Sequence, residues 1–333
     1  MIPTPGPPSS QAPTSGPPAT APGPLRLAPI DARTHHAFAQ AASASFLQCP
    51  AWARVKVGWR PQPLGWFDTA DELVGTALVL HRPIPGLPWT LAYLPEGPVL
   101  DWTDPDLSRW LNPLVAAVRS AGAFAVRMGP PVTVRRWQAA TAKAGLADPA
   151  VHRLGDLAPD DAPQTGATVA GWLRSHGWIP PAPTDGFGAG QPRYVVQVPL
   201  AGRTEQQLWD GLNQLWRRNV RRAERAGVVV TRGGAEDLAA FHDLYVHTAA
   251  RDGFTPRPAS YFTGMWQELT AEDPDRIWLY LARSSGDLVA ATTLVRVGRH
   301  VWYSYGASST VHREVRGSNA IQWRMVRDAR AAG

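Results

Sequence analysis

Two stretches of the chain carry the same order of apolar and polar positions. Residues 71–99 read "DELVGTALVLHRPIPGLPWTLAYLPEGPV" and residues 287–308 read "DLVAATTLVRVGRHVWYSYGAS". Each opens on an acidic residue and a Leu-Val pair and runs through small and branched residues to a turn. The turn is Pro- and Gly-rich in the first and Gly298-Arg299 in the second. Each then continues as an aromatic-containing run to a Gly-bearing loop. Runs of branched and aromatic residues between turn signals predict strands. One more strand precedes each pair, through "WFDTA" and "IWLYLARSSG". An amphipathic helix follows each, "LSRWLNPLVAAVRSAGA" and "NAIQWRMVRDARAAG". The pattern predicts a duplicated α+β unit of helices, three antiparallel strands and a helix.

In the first copy the helix leads into another strand, "FAVRMGPPV"; in the second the chain reaches Gly333 at that point. The repeat therefore predicts a second unit truncated at its C-terminus, with an uncovered sheet edge. Between the copies, residues 134–192 hold one predicted helix, "VRRWQAATAKAG". A Pro- and Gly-rich segment ending "PTDGFGAGQPR" follows and reads as linker and surface loops. "RYVVQVPL" (193–200) is predicted to open the second unit as a strand. The expected organisation is a Pro-rich disordered arm over 1–24, a first unit with linker over 25–192, and a second, incomplete unit over 193–333.

One helix is predicted from Thr204, whose pairing with Gln207 has the form of a capping box, to a C-cap at Gly227. Leu208, Leu212, Leu215, Val220, Ala223 and Ala226 fall on one side of it. Arg217, Arg221 and Arg225 fall on the other, with Arg218 beside them. Asn219 lies on the apolar side, where it needs a hydrogen-bond partner. "LWRRNVRRAERAG" thus puts five arginines into nine positions, with Glu224 as local neutralisation. Like charges four apart on a helix repel, and arginine suits bidentate contact with phosphate. The alternative is an ordinary solvated face.

The chain has 333 residues and a formal charge of +6, which points to an anionic partner: nucleic acid, a phosphorylated metabolite or a membrane surface. Its length favours two domains. No run approaches the roughly 20 apolar residues of a membrane-spanning helix. The Pro/Ser/Thr start has neither a basic nor an apolar signal region, so the expected location is the cytoplasm. The lone Cys49, in "FLQCPAW", reads as a small buried residue. His242 and His247, five apart, are wrongly spaced for a shared metal, and no metal or cofactor is expected.

Five stretches in order, "FLQCPAWARVKVGW", "LAYLPEGPVLDW", "LWRRNVRRAERAGV", "TAARDGF" with "YF", and "WYSYGASS", resemble the Fem family of peptidoglycan interpeptide-bridge aminoacyltransferases. The resemblance spans most of residues 40–333. It implies two GNAT-like acyltransferase domains, in agreement with the repeat. It also implies transfer of an amino acid from aminoacyl-tRNA to the stem-peptide amine of a wall precursor, lipid-linked (lipid II) or nucleotide-linked, with the membrane surface as a further contact. No long helical hairpin is visible in the second unit, so the chain looks closer to the compact members.

The resemblance further implies roles for particular residues. Lys56, in "WARVK", and Arg217, in the arginine helix, match residues that hold the phosphorylated precursor, and Arg221 goes with them. Asp101, closing "GPVLD", matches an acidic residue that assists the attacking amine; standing before "TDPD", it also reads as a cap or turn residue. Tyr261 is a candidate for lining the precursor site. Glu96 departs from the basic residue usual before "GPV", and Arg218 replaces a tyrosine. The family's later segment, with its functional lysine, would lie beyond Gly333, which leaves an inactive chain as an expectation. Arg316, Gly317 and Ser318, ahead of the last helix, form a candidate phosphate loop at a helix N-terminus or a plain helix-start loop. Two other functions fit the pattern: an acyl-CoA-dependent N-acyltransferase, and a non-catalytic protein that binds precursor or nucleic acid.

Overall fold

The computed structural model describes residues 23–181 and 191–333; nearly all of the predicted disordered arm and most of the predicted Gly-rich linker lie outside them. The first half begins with β1 (Arg26–Pro29), α1 (Ala32–Ala41) and α2 (Pro50–Val55). It continues through β2 (Arg60–Phe67), β3 (Leu73–Pro83), β4 (Thr90–Leu94), α3 (Ser108–Ser120) and β5 (Ala123–Met128). Helices α4 (Ala139–Leu146) and α5 (Gln164–Ser175) follow. The second half comprises α6 (Glu205–Gly211), α7 (Gln214–Arg225), β6 (Val229–Gly233), α8 (Leu238–Asp252) and α9 (Ala259–Glu272). It ends with β7 (Ile277–Ser284), β8 (Asp287–Val297), β9 (His300–Ser308) and α10 (Gly317–Ala331).

The strands form two sheets in sequential order, β1–β5 and β6–β9. All neighbours are antiparallel except β4 and β5, which are parallel because α3 crosses between them. The run of three antiparallel strands and a helix occurs twice, as β2–β3–β4–α3 and β7–β8–β9–α10. The α+β class and the repeated order are therefore both present.

Alternation along the strands sorts the core into layers. In β3, Ala77 and Val79 face α3, with Trp66, Trp110 and Leu111, whereas Leu78 and Leu80 face α1 and α2. In β7, Leu279 and Leu281 face α8 and α9, whereas Trp278 and Tyr280 face α10 with Ile321 and Met325. One apolar cluster runs from β3 through Trp52 and Cys49 to Phe262 and Leu279, so the α1–α2 layer and the α8–α9 layer share a single core. Helix α7 packs outside α10 through Val220 and Trp323.

A buried polar network joins the halves at that layer. Arg276, fully buried, donates from Nη1 to Gln40 Oε1 on α1 at 3.0 Å and to Arg296 O at 2.8 Å. Its Nη2 lies 3.4 Å from Glu272, and Glu272 Oε1 accepts the Ala51 N–H on α2 at 2.7 Å. The short α2 is thus anchored at its positive end by a carboxylate of the second half.

Two expectations need correction. Residues 193–200 form no strand: Tyr194, Val195, Val196 and Val198 are exposed, and only Leu200 reaches a core cluster. Strand propensity reports fit to a pleated, half-buried surface, and no described sheet edge pairs with this segment. The predicted helix over 204–226 is two helices. The Thr204–Gln207 capping box is present, but Leu212 is extended and Asn213 starts a new helix by accepting the Trp216 N–H at 2.8 Å. The break resets the helical phase and leaves Leu215 exposed rather than on the apolar side. Gly227 follows α7 with φ +69°, as its cap position demands.

Candidate functional site

Lys56 terminates α2, where its N–H bonds Trp52 O at 3.2 Å. Its Nζ lies 4.8 Å from the Trp52 ring centre and 5.8 Å from that of Tyr261, on α9. Arg257, in the turn between α8 and α9, stacks on the same tyrosine at 5.2 Å. Pro256 and Pro258 flank it and restrict its backbone to extended conformations, and its carbonyl accepts from His242 Nε2 at 3.0 Å. Tyr261 in turn is tied to Tyr305 of β9 by a 3.0 Å hydroxyl–hydroxyl hydrogen bond. Two cations from opposite halves therefore share one aromatic platform.

Neither cation makes an ion pair among the described residues. Burial, and then the Arg257 charge, lower the Lys56 ammonium from the usual lysine range to about 8. Burial and the Tyr305 hydroxyl push Tyr261 well above the usual tyrosine value, so it stays a neutral hydrogen-bonding ring. A buried cation with a perturbed pKa and a second cation beside it marks a candidate functional site.

The structure brings Lys56 and Tyr261 together, and among the described residues no hydrogen bond, ion pair or ring contact joins the other predicted residues to them. Asp101 is exposed; its Oδ1 accepts from Thr103 N at 2.9 Å and from Thr103 Oγ1 at 2.6 Å, which builds the turn, and among the described residues no hydrogen bond engages its Oδ2. Arg217 is half-buried on α7 and donates to Asp210 O at 2.9 Å, and Arg221 lies 5.4 Å from the Trp209 ring. Both belong to the α10 side of the second sheet, and among the described residues no hydrogen bond, ion pair or ring contact joins them to Lys56. Arg316 takes the left-handed conformation at φ +60°, and Gly317 is buried against β8, where a Cβ would lie 2.8 Å from Val289 Cγ2. These two serve the start of α10. Ser318 lines a separate cleft of about 160 Å³ with Thr248, Arg251 and Gln322.

Several contributing residues were not legible beforehand. Arg257 and Tyr305 meet Tyr261 within the second half, and Tyr261 meets Lys56 only through the pairing of the two halves; the one local clue to Arg257 is its placement between two prolines. Gln48, fully buried, fixes the loop after β4 by donating to Pro95 O at 2.7 Å and accepting from Leu78 N at 2.9 Å. Glu96, in that loop, adopts φ +46° and accepts from Ser45 Oγ. Cys49 has no exposed surface, and burial pushes its thiol up to about 12, which removes it as a nucleophile.

Comparison with known proteins decides the family: the FemAB family model matches residues 30–285. The chain belongs to the FemAB family. It is 27% identical over 256 residues to the lipid II:glycine glycyltransferase of Staphylococcus saprophyticus, a match covering 75% of this chain and 54% of that protein. The protein of the same name from Staphylococcus aureus strain MRSA252 is 25% identical over 256 residues, covering 75% and 53%. This FemAB chain thus spans about half the length of the curated relatives it matches. Its fold is that of the crystal structure of FemX, with a TM-score of 0.72 at 21% identity over 92% of this chain and 86% of that one. Among the described residues of the chain, no helix is long and apolar enough to cross a membrane.

Proposed function

We propose that this FemAB chain transfers an amino acid from aminoacyl-tRNA to the stem-peptide amine of an anionic peptidoglycan precursor. The observation that carries the reading is the convergence of Lys56 and Arg257 on Tyr261, with neither cation in an ion pair among the described residues. Such a pair is completed by a ligand bearing phosphate or pyrophosphate. The names of the staphylococcal relatives support a lipid-linked wall precursor as the class of acceptor.

The chemistry is aminolysis of an ester. The acceptor amine is mostly protonated at neutral pH and must lose a proton before it attacks. Asp101 Oδ2 takes that proton while Oδ1 keeps the Thr103 turn. The amine nitrogen then bonds to the ester carbonyl carbon, and the resulting intermediate collapses with cleavage of the C–O ester bond. The electron pair leaves on the ribose oxygen, which picks up a proton and becomes a hydroxyl. No enzyme nucleophile takes part. In this scheme Lys56 and Asp101 act at different points along one long substrate, the anionic head and the amine.

The test is mass analysis of a nucleotide-linked muropeptide incubated with the protein and charged tRNA. The reading predicts a mass gain of one aminoacyl residue that depends on charged tRNA. Turnover with acyl-CoA and none with any charged tRNA overturns it.

A further inference from the structure

The arginines of α7 divide into two stripes once the true helix start at Gln214 is known. Val220 and Ala223 are buried against α10. With about 100° per residue, Arg218, Arg222 and Arg225 fall in one stripe directly opposite that buried side, and all three are exposed. Arg217 and Arg221 fall on the flank, engaged with Asp210 O and Trp209. The side chains of the outward three have no hydrogen bond, ion pair or ring contact among the described residues. The helix macrodipole accounts for cations in the last turn, Arg222 and Arg225, but not for Arg218.

The surrounding layer reinforces the stripe. Residues 203–225 and α10 together carry nine arginines against four carboxylates, an excess of five in a chain whose formal charge is +6. Nearly all the net charge thus falls on these packed segments, and Arg218, Arg222 and Arg225 form an outward row on them, about 10 Å long at 1.5 Å per residue.

The geometry points to this face as the docking surface for the sugar–phosphate backbone of a structured RNA. This inference rests on the proposed use of an RNA-borne donor and names where that donor is held. Guanidinium groups recurring every three to four residues along one side of a helix suit a row of phosphates, and such contacts position a nucleic acid without reading its sequence. A lipid surface is the poorer fit. A helix lying in a membrane interface buries an apolar face, but the apolar side of α7 is already occupied by α10. Leu215 is the one large apolar side chain that α7 exposes among the described residues.

The test uses the full chain and a fluorescently labelled, unacylated RNA hairpin, with anisotropy followed from about 50 to 200 mM salt. The triple variant Arg218→Gln, Arg222→Gln, Arg225→Gln is compared with Arg119→Gln, Arg135→Gln, Arg174→Gln, which removes equal charge from exposed positions of the first half. The α7 variant is expected to bind at least ten-fold more weakly, with the salt slope reduced by about two to three units. The first-half variant is expected to keep wild-type affinity. Equal losses in both variants, or no loss in the α7 variant, overturn the surface while leaving the transferase reading intact. Wild-type protein that binds phosphatidylglycerol vesicles through α7 but not RNA overturns the surface and the RNA donor together. Precursor affinity, measured in parallel, stays at the wild-type value in the α7 variant and separates this site from the one at Lys56.

Discussion

Glu272 caps a helix of the other half: its Oε1 accepts the Ala51 N–H at 2.7 Å while the same carboxylate pairs with the buried Arg276. The last turn of α9 therefore sets the position of α2, and α2 ends at Lys56. Geometry at the proposed anion site is inherited from the contact between halves.

Glu272→Ala tests that dependence. It leaves Arg276, fully buried, with its bonds to Gln40 and Arg296 O but, among the described residues, only the longer 3.7 Å ion pair to Asp273. Breaking a buried pair on one side costs about 3–5 kcal/mol. Thermal unfolding should show a midpoint lowered by several degrees, together with weakened precursor binding. An unchanged midpoint would show that the network is not what joins the halves.

The Lys56 ammonium gives a pH signature. Only its protonated form attracts an anion, and burial with the Arg257 charge brings its pKa down to about 8. Precursor affinity should therefore be full below that value and fall as pH rises through it, with a slope approaching one proton. Lys56→Arg should move the fall beyond the accessible range, because a guanidinium keeps its proton. The same fall in both proteins would place the titrating group elsewhere.

Asp101→Asn separates chemistry from structure. Asparagine keeps the oxygen that accepts from Thr103, so the turn and the unfolding midpoint should be preserved. Turnover should drop at least ten-fold with KM little changed, the size of loss typical of general-base removal. Undiminished turnover would return Asp101 to a purely structural role.

Gly317→Ala addresses the loop before α10. The added methyl would meet Val289 Cγ2 at 2.8 Å and Ala290 Cβ at 3.3 Å. Overpacking of this kind costs about 1–3 kcal/mol. Chemical denaturation should show that loss, whereas Ser318→Ala, at an exposed position, should be near neutral. A neutral Gly317→Ala would contradict the packing role assigned to this glycine.

What the sequence disclosed follows from the range of the forces involved. The strand pairs β3–β4 and β8–β9, the Thr204 capping box and the Gly227 cap all depend on residues a few positions apart, and all were legible. Leu212 and Asn213 hid a helix break because the apolar spacing continues across it, while the asparagine carries the cap that restarts the helix. The branched residues of 193–200 look like a strand, yet a strand exists only where an edge receives it. Lys56 was visible as one cation, but its partner Arg257 and platform Tyr261 come from the other half, and no local period encodes that meeting.

The central claim is that Lys56 and Arg257 jointly grip an anionic wall precursor. Calorimetric titration of a nucleotide-linked muropeptide into wild type, Lys56→Met, Arg257→Gln and the double variant tests it most directly. Each single change should weaken binding at least ten-fold without altering the unfolding midpoint, and the double variant should lose less than the two losses combined, because the cations share one ligand. Wild-type affinity in Arg257→Gln, or losses that simply add, would contradict the claim.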